Sequence, residues 1–266
     1  MVAHPTLFGP FLLALLLASA SAADDSPPAP ETVEHAGTRY WVQRVDAKRT
    51  KIDLYLGEPA GKPNTFPALE QRLAKQGRRL IFAMNAGIFE GTLLPTGLHI
   101  ADGKETTPLN LGEFVKSREG ELTPNFYLKP NGVFLIRADG SVAVLESSRY
   151  AAAGEKPVLA TQSGPLLVAG GSLHPVLQAD STSRRYRNGV GVNRAGEIVF
   201  VCSVRDREHG VSNLYRFAEL FRDRLDCPDA LYLDGDISYL YLRGHTGPIK
   251  ETNWFAGILA ISEPGD

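Results

Sequence analysis

The chain has 266 residues, of which 43% are hydrophobic and 22% charged, with a formal net charge of −2. These values describe an ordinary globular protein with room for one large domain or two small ones. Without a basic excess, and with both signs of charge intermixed, the composition argues against a nucleic-acid partner and against a polybasic membrane surface.

In chain order, the first feature is an apolar run from Leu7 to Ala20 that ends in the small residues Ala20-Ser21-Ala22-Ala23. Residues 1–23 read as a secretory signal peptide cleaved near Ala22 or Ala23, which predicts a periplasmic or secreted protein with no stable membrane insertion after cleavage. An uncleaved anchor competes with that reading, although the run is short for a membrane span. Residues 24–37 (Asp24-Asp25-Ser26-Pro27-Pro28-Ala29-Pro30 onward) read as a flexible Pro-rich leader, which places the ordered domain over residues 38–266.

Strand-like runs then recur. They are Tyr40 to Val45, Ile52 to Leu56, Arg79 to Met84, Gly132 to Ile136, Val142 to Leu145 and Gly164 to Val168. Gly189 to Val192, Glu197 to Val204, Ala230 to Leu233, Tyr239 to Leu242 and Ala256 to Ile261 follow. Two segments read as helices. Pro67 to Gln76 places Leu69 and Leu73 four apart, and Asn213 to Leu225 aligns Leu214, Phe217, Phe221 and Leu225, with Ser212 or Asn213 as N-cap. Many strands, few helices and no fixed repeat predict a single α+β domain with a mixed, largely antiparallel sheet and a few packed helices. The two cysteines, Cys202 and Cys227, would be free to pair in an oxidising compartment, but Cys202 sits in an apolar strand and reads as a small buried hydrophobe.

The segment Ala230-Leu231-Tyr232-Leu233-Asp234-Gly235-Asp236-Ile237-Ser238 carries the strongest chemical signal. It reads as a buried strand running into a turn with two carboxylates and a hydroxyl. The i, i+2 spacing puts Asp234 and Asp236 on one side of an extended chain, and Gly235 permits a backbone conformation that other residues resist. Such carboxylates suit acid–base chemistry or a hard cation; a plain polar turn at a strand end is the alternative. Asn85 follows a strand and offers an amide for sugar hydroxyls or phosphate oxygens, or for its own turn. Gln162 sits in an apparent polar turn and offers a second amide. Arg184-Arg185-Tyr186-Arg187-Asn188-Gly189 gathers guanidinium groups that match anionic oxygens, or forms a solvated loop. His209 lies in a polar loop ahead of the second helix, a candidate rim for the site. Phosphate loops, dinucleotide fingerprints, H-E-x-x-H, C-x-x-C and G-x-S-x-G are all absent from the sequence.

Taken in order, these segments resemble the phosphodiester glycosidase family over roughly Leu80 to Ile261. Asn85-Ala86-Gly87-Ile88-Phe89 is similar to the family's Asn-Gly-Gly-Phe-Phe element, and Gln162-Ser163-Gly164-Pro165 to its Gln/Ser-Gly-Pro turn. Arg187-Asn188-Gly189-Val190-Gly191 shares the Arg and the last Gly of its Arg-Thr-Ala-Ile-Gly element. Asn213 to Leu220 and Ala230 to Ser238 resemble its Asn-Leu-Trp…Ala-Glu helix and its Asn-Leu-Asp-Gly-Gly-Gly-Ser strand. Asp236 and Ile237 replace the family's second and third glycines, and the loop from Arg205 to Gly210 lacks the family's Asp-Gly start. Both departures point to a branch with its own substrate.

The resemblance implies hydrolysis of a sugar-1-phosphodiester at the glycosidic bond; with the expected export, the substrate is read as an envelope or extracellular glycan, and no cofactor or metal ligand is assigned. Asp234 is then the first candidate for the catalytic carboxylate and Asp236 the second. Arg187 stabilises the departing phosphate. Asn85, Gln162 and Ser238 hold hydroxyls or phosphate oxygens, and Asn188, His209 and Gly235 complete the expected substrate-binding set. Two rivals stay open: a catalytically inert phosphoglycan-binding protein, and a metal-dependent phosphodiesterase using Asp234 and Asp236 as ligands.

Overall fold

The structure is a computed structural model that describes residues 1–2, 28–59, 62, 64–246 and 253–265. The apolar run read as a signal peptide lies almost entirely outside the described residues. In chain order the strands are β1 (Glu31–His35), β2 (Thr38–Val45), β3 (Asp53–Leu56), β4 (Arg78–Ala86), β5 (His99–Ala101), β6 (Lys104–Thr107), β7 (Gly132–Ile136) and β8 (Val142–Glu146). They continue as β9 (Leu159–Ser163), β10 (Leu166–Ala169), β11 (Ser172–Leu173), β12 (Asn188–Val192), β13 (Ile198–Ser203), β14 (Asp229–Asp234), β15 (Leu240–Leu242) and β16 (Gly257–Pro264). The helices are α1 (Phe66–Lys75), α2 (Ser147–Ala153) and α3 (Leu214–Glu219), the last prolonged by a π turn over Leu220–Arg224.

The strands form three antiparallel sheets, ordered β1-β2-β13-β12-β14-β10-β11, β15-β4-β16-β3 and β6-β5-β9-β7-β8. One face of each sheet turns inward to a shared core that includes Phe82, Phe134, Phe200, Leu231 and Leu259. The large sheet's outer face is covered by α3 and its π turn through Phe217, Phe221 and Leu225. The second sheet is covered by α1 through Phe66, Leu69 and Leu73. Each sheet is therefore buried on both faces in its centre, which is why so many strands read as unbroken apolar runs.

Local chemistry explains the helices. Thr65 caps α1 by accepting a bond from the Ala68 N–H, and Arg72 and Lys75 sit in its last turn, where their charge favours the carbonyl end. Asn213 caps α3 by accepting from the Arg216 N–H at 2.9 Å, while its own amide donates to the carbonyls of Ala179 and Ser181. A single side chain thus starts the helix and pins the 174–187 connection beside it.

The structure departs from the sequence reading in several places. Residues 31–35, assigned to the flexible leader, form β1 and pair with β2 from Glu31↔Val42 to His35↔Thr38. Their polar sequence hid an edge strand whose outward face stays in water. Gln162 and Ser163 are not in a turn but close β9, where both are buried. Strands β5, β6, β9 and β11 and helix α2 lack the apolar periodicity that announces such elements; tertiary pairing makes them. The cysteines are free and buried on opposite faces of the large sheet, with Cys202 in the shared core and Cys227 under the helix. Burial pushes both thiols up to about 12.

Candidate active site

The C-terminal ends of β4 and β14 meet the start of β12 at one end of the sheets. Asn188 faces Asp234 across the β12–β14 pair, and Asn85 lies on β4 opposite Ile258 of β16. Three connections, the residues after β14, the 174–187 segment and the first turn of α3, enclose a cleft of about 550 Å3 there. Its polar lining comprises Asp234, Asp236, Arg185, Arg187 and Tyr232, with Asn125, Gln178, Ser181 and Ser183, and Gly235 also lines it.

Asp234 is only partly exposed. Its Oδ1 accepts from the Gly235 N–H at 2.7 Å and its Oδ2 from Asn85 Nδ2 at 2.9 Å. Burial nevertheless pushes its carboxyl from 3.8 up to about 7, the two hydrogen bonds opposing that rise and the nearby charge of Asp236 adding to it. A polar network stands behind it. The Asn85 Oδ1 accepts from Asn188 Nδ2 at 2.9 Å and from the Tyr239 N–H at 2.9 Å. Asn188 Nδ2 also reaches the Asn85 carbonyl at 2.7 Å, and Ser238 Oγ donates to the Asp234 carbonyl at 3.0 Å. Asn85, Asn188 and Ser238 are buried and act through Asp234 by fixing its rotamer and closing its turn.

Arg187 is 2% exposed. Its Nε donates to the Ser212 carbonyl at 3.2 Å, its Nη1 to Tyr232 Oη at 2.9 Å and its Nη2 to the Ser183 carbonyl at 3.0 Å. Every one of those partners is neutral, and among the described residues no carboxylate pairs with it. A buried guanidinium without a counter-ion is costly, and at the wall of a cleft it selects an anionic ligand group. Its companion Tyr232 was read in the sequence only as part of an apolar strand. The signal was present, because Tyr232 precedes Asp234 by two and so shares its side of β14.

Gly235 serves a different purpose from the one its type suggests. It is not among the glycines of positive φ. Instead, a Cβ there would sit 2.8 Å from the Tyr232 hydroxyl, so glycine lets the turn close over the group that holds Arg187. Asp236 stands at the mouth, its Oδ2 2.9 Å from Arg185 Nη1, with both side chains 58% exposed. Arg205 Nη1 donates to the Asp236 carbonyl at 2.9 Å, and its guanidinium lies 4.1 Å over the Tyr186 ring.

Two expected ligand contacts fall elsewhere. The amide of Gln162 is fully buried and committed: its oxygen accepts from the N–H groups of Leu98 and Asn110, and its nitrogen donates to the Asn110 carbonyl and Ser147 Oγ. It staples the 96–112 segment to β9 and does not line the cleft. His209 Nδ1 lies 3.1 Å from Asp206 Oδ2 and 3.2 Å from Arg39 Nη2, tying its loop to β2 rather than to the cleft. From that loop it is Arg205, not the histidine, that reaches the site. Among the described residues no group of three or more His, Cys, Asp or Glu side chains is placed to share a metal ion.

Fold and cleft together define an antiparallel α+β domain whose site joins one half-buried carboxylate to one buried, unpaired guanidinium. Residues 78–253 match the phosphodiester glycosidase family, and the chain belongs to it. It is similar to the uncharacterised Escherichia coli (strain K12) protein YigE, with 33% identity over 205 residues, 77% of this chain and 74% of YigE. Its fold is similar to the catalytic domain of zebrafish N-acetylglucosamine-1-phosphodiester α-N-acetylglucosaminidase, auto-inhibited by its pro-peptide. That likeness has a TM-score of 0.57 and 19% identity, covering 88% of this chain and 81% of that one. A hypothetical protein from Synechocystis is similar with a TM-score of 0.52 and 17% identity, over 88% of this chain and 61% of that one. At these identities the structural likeness is one of fold. Family membership supports a glycosidase-like, hydrolytic function on phosphodiester-linked sugars.

Proposed function

We propose that this protein is an exported hydrolase that cleaves a sugar-1-phosphodiester at its glycosidic bond in an envelope or extracellular glycan. The observation that carries the reading is the shared cleft of Asp234, with its carboxyl near 7, and Arg187, a buried cation with no carboxylate partner among the described residues. Export is supported by the apolar N-terminal run and its small-residue end.

The chemistry follows from the charges. A phosphodiester is a good leaving group, so its departure needs charge stabilisation more than protonation. Arg187 offers N–H donors to the phosphate oxygens as the bond from the anomeric carbon to oxygen breaks and its electron pair moves to phosphate. Ionised Asp234 takes a proton from a water molecule whose oxygen bonds to the anomeric carbon. A carboxylate titrating near neutrality suits that role better than one at 3.8, because it is both available and basic at working pH. Asn85 and Gly235 hold it in place throughout.

The test is turnover of an N-acetylglucosamine-1-phosphodiester in oxygen-18 water, with and without chelator. The glycosidase places the label in the sugar whether or not chelator is present. Label in phosphate, with loss of turnover on chelation, would establish a metal-dependent phosphodiesterase instead. Absence of turnover across a panel of phosphoglycans that nonetheless bind would establish an inert binder. Asp234→Asn abolishes turnover on the proposed scheme, and intact turnover in that variant would remove the assignment.

A further inference from the structure

We propose that the phosphate bound in this cleft is esterified, on its non-sugar side, to an apolar chain, so that the substrate is a sugar joined through phosphate to a lipid-like alcohol. The inference rests on the phosphodiester reading above and names its acceptor.

The cleft lining is mixed. Besides the carboxylates and guanidinium groups it includes the large apolar or aromatic side chains Ile88, Leu128, Val176, Leu177, Leu214 and Tyr215. They come from three connections and the first turn of α3, yet Ile88, Leu177 and Leu214 all pack against the same apolar cluster beneath α3. Val176 remains 50% exposed within the cleft. One sugar ring offers a single apolar face, too little to cover a wall of six such side chains. The neutral polar side chains Asn125, Gln178, Ser181 and Ser183 also line the cleft, next in sequence to some of these apolar residues, and leave the apolar area itself without a sugar to cover it.

A second observation extends the surface beyond the cleft. Leu111, Val115 and Leu122 are 51%, 85% and 87% exposed on the segment between β6 and β7. In that segment the Phe114 ring lies 5.8 Å from that of Tyr127, the residue before the cleft-lining Leu128. Several large apolar side chains left in water on one segment are a feature of surfaces that bind apolar partners. An alkyl or prenyl chain leaving the phosphate at Arg187 would run along the cleft wall and out beneath this segment.

Calorimetric titration of the whole wild-type protein with octyl phosphate, glycerol 3-phosphate and uridine monophosphate tests this without any need for turnover. Octyl phosphate should bind roughly tenfold or more tightly than glycerol 3-phosphate, as expected for burying even part of the chain. Val176→Asn should narrow that gap several-fold while leaving glycerol 3-phosphate affinity unchanged. Equal affinities, no measurable binding of octyl phosphate, or tightest binding of uridine monophosphate would each overturn the proposal. Tight octyl phosphate binding without cleavage of any sugar-1-phosphodiester would keep the apolar subsite and remove the glycosidase. Cleavage with equal affinities would do the reverse.

Discussion

Replacing Asn85 by alanine separates the positioning of Asp234 from the stability of the fold. Asn85→Ala removes the amide that donates to Asp234 Oδ2 at 2.9 Å and the oxygen that accepts from Asn188 Nδ2 and the Tyr239 N–H. The Tyr239 N–H loses its acceptor while Asn188 Nδ2 keeps the Asn85 main-chain carbonyl, so at about 1–3 kcal/mol for an orphaned donor unfolding should become easier by roughly 1–3 kcal/mol. The carboxylate loses a hydrogen bond that favours its charged form, a loss of about 1.5–3 kcal/mol, or on the order of one to two pKa units. Because burial already holds the carboxyl near 7, the change carries it upward, and the fraction ionised at neutral pH falls at least several-fold. The assay is carbon-13 NMR titration of the Asp234 carboxyl, assigned by its absence in Asp234→Asn, alongside urea unfolding. The acidic limb of kcat/KM should move to higher pH together with the carboxyl resonance. A resonance that titrates at or below its wild-type pH while stability falls would show that Asn85 supports the fold and not the carboxylate, and the reasoning would fail.

Other outcomes follow from the same geometry. Arg187→Met should lower kcat/KM by about 10²–10³ and abolish the rise in melting temperature that inorganic phosphate gives the wild type, since it removes the buried cation at the cleft wall. Asp234 has a folded value near 7 above an unfolded value near 3.8, so the folded state holds the proton more tightly. Wild-type stability from this group is therefore full below 3.8, declines as pH rises to about 7 and is flat above. The melting temperature of Asp234→Asn minus that of wild type should accordingly increase over that window in thermal scans, and a constant difference would contradict the burial argument. Gly235→Ala should impair turnover by pressing a methyl group on the Tyr232 hydroxyl, and Tyr232→Phe in the same chain should relieve the strain measured by unfolding. Breaking the exposed pair with Arg185→Ala should change unfolding free energy by less than about 1 kcal/mol.

The parts of this protein legible in its sequence are those where one segment carries the whole signal. The strand ending in Asp234 was visible because its apolar run and its acidic end are contiguous, and α3 because its cap and stripe lie within thirteen residues. Strands β5 and β9 were not, since a buried Thr-Gln-Ser run is stabilised by neighbours in space that spacing does not encode. Gln162 shows the same limit in the site. An amide looks alike in sequence whether it greets a ligand or, as here, spends its hydrogen bonds on the backbone of Leu98 and Asn110 and the hydroxyl of Ser147. Arg187 stood out as one of a cluster, but only the three-dimensional arrangement distinguishes it, buried and unpaired, from Arg185, which is exposed and paired.

The glycines of β12 carry a consequence for how this site varies. A Cβ at Gly189 would meet the Leu231 carbonyl at 2.8 Å and Phe217 at 3.1 Å, and one at Gly191 would meet Cys227 and Phe221 at 2.8 Å. Helix and strand are therefore in contact directly behind β12, with no slack between them. A bulkier residue on α3's inner face can relax only by pushing the sheet, and the strand it pushes, β12, begins at Asn188, paired across the ladder with Asp234. Substitutions far from the cleft, on the hidden side of the sheet, would then retune the carboxylate's reach without touching a ligand. Divergence of specificity in this chain has a route through its core as well as through its rim.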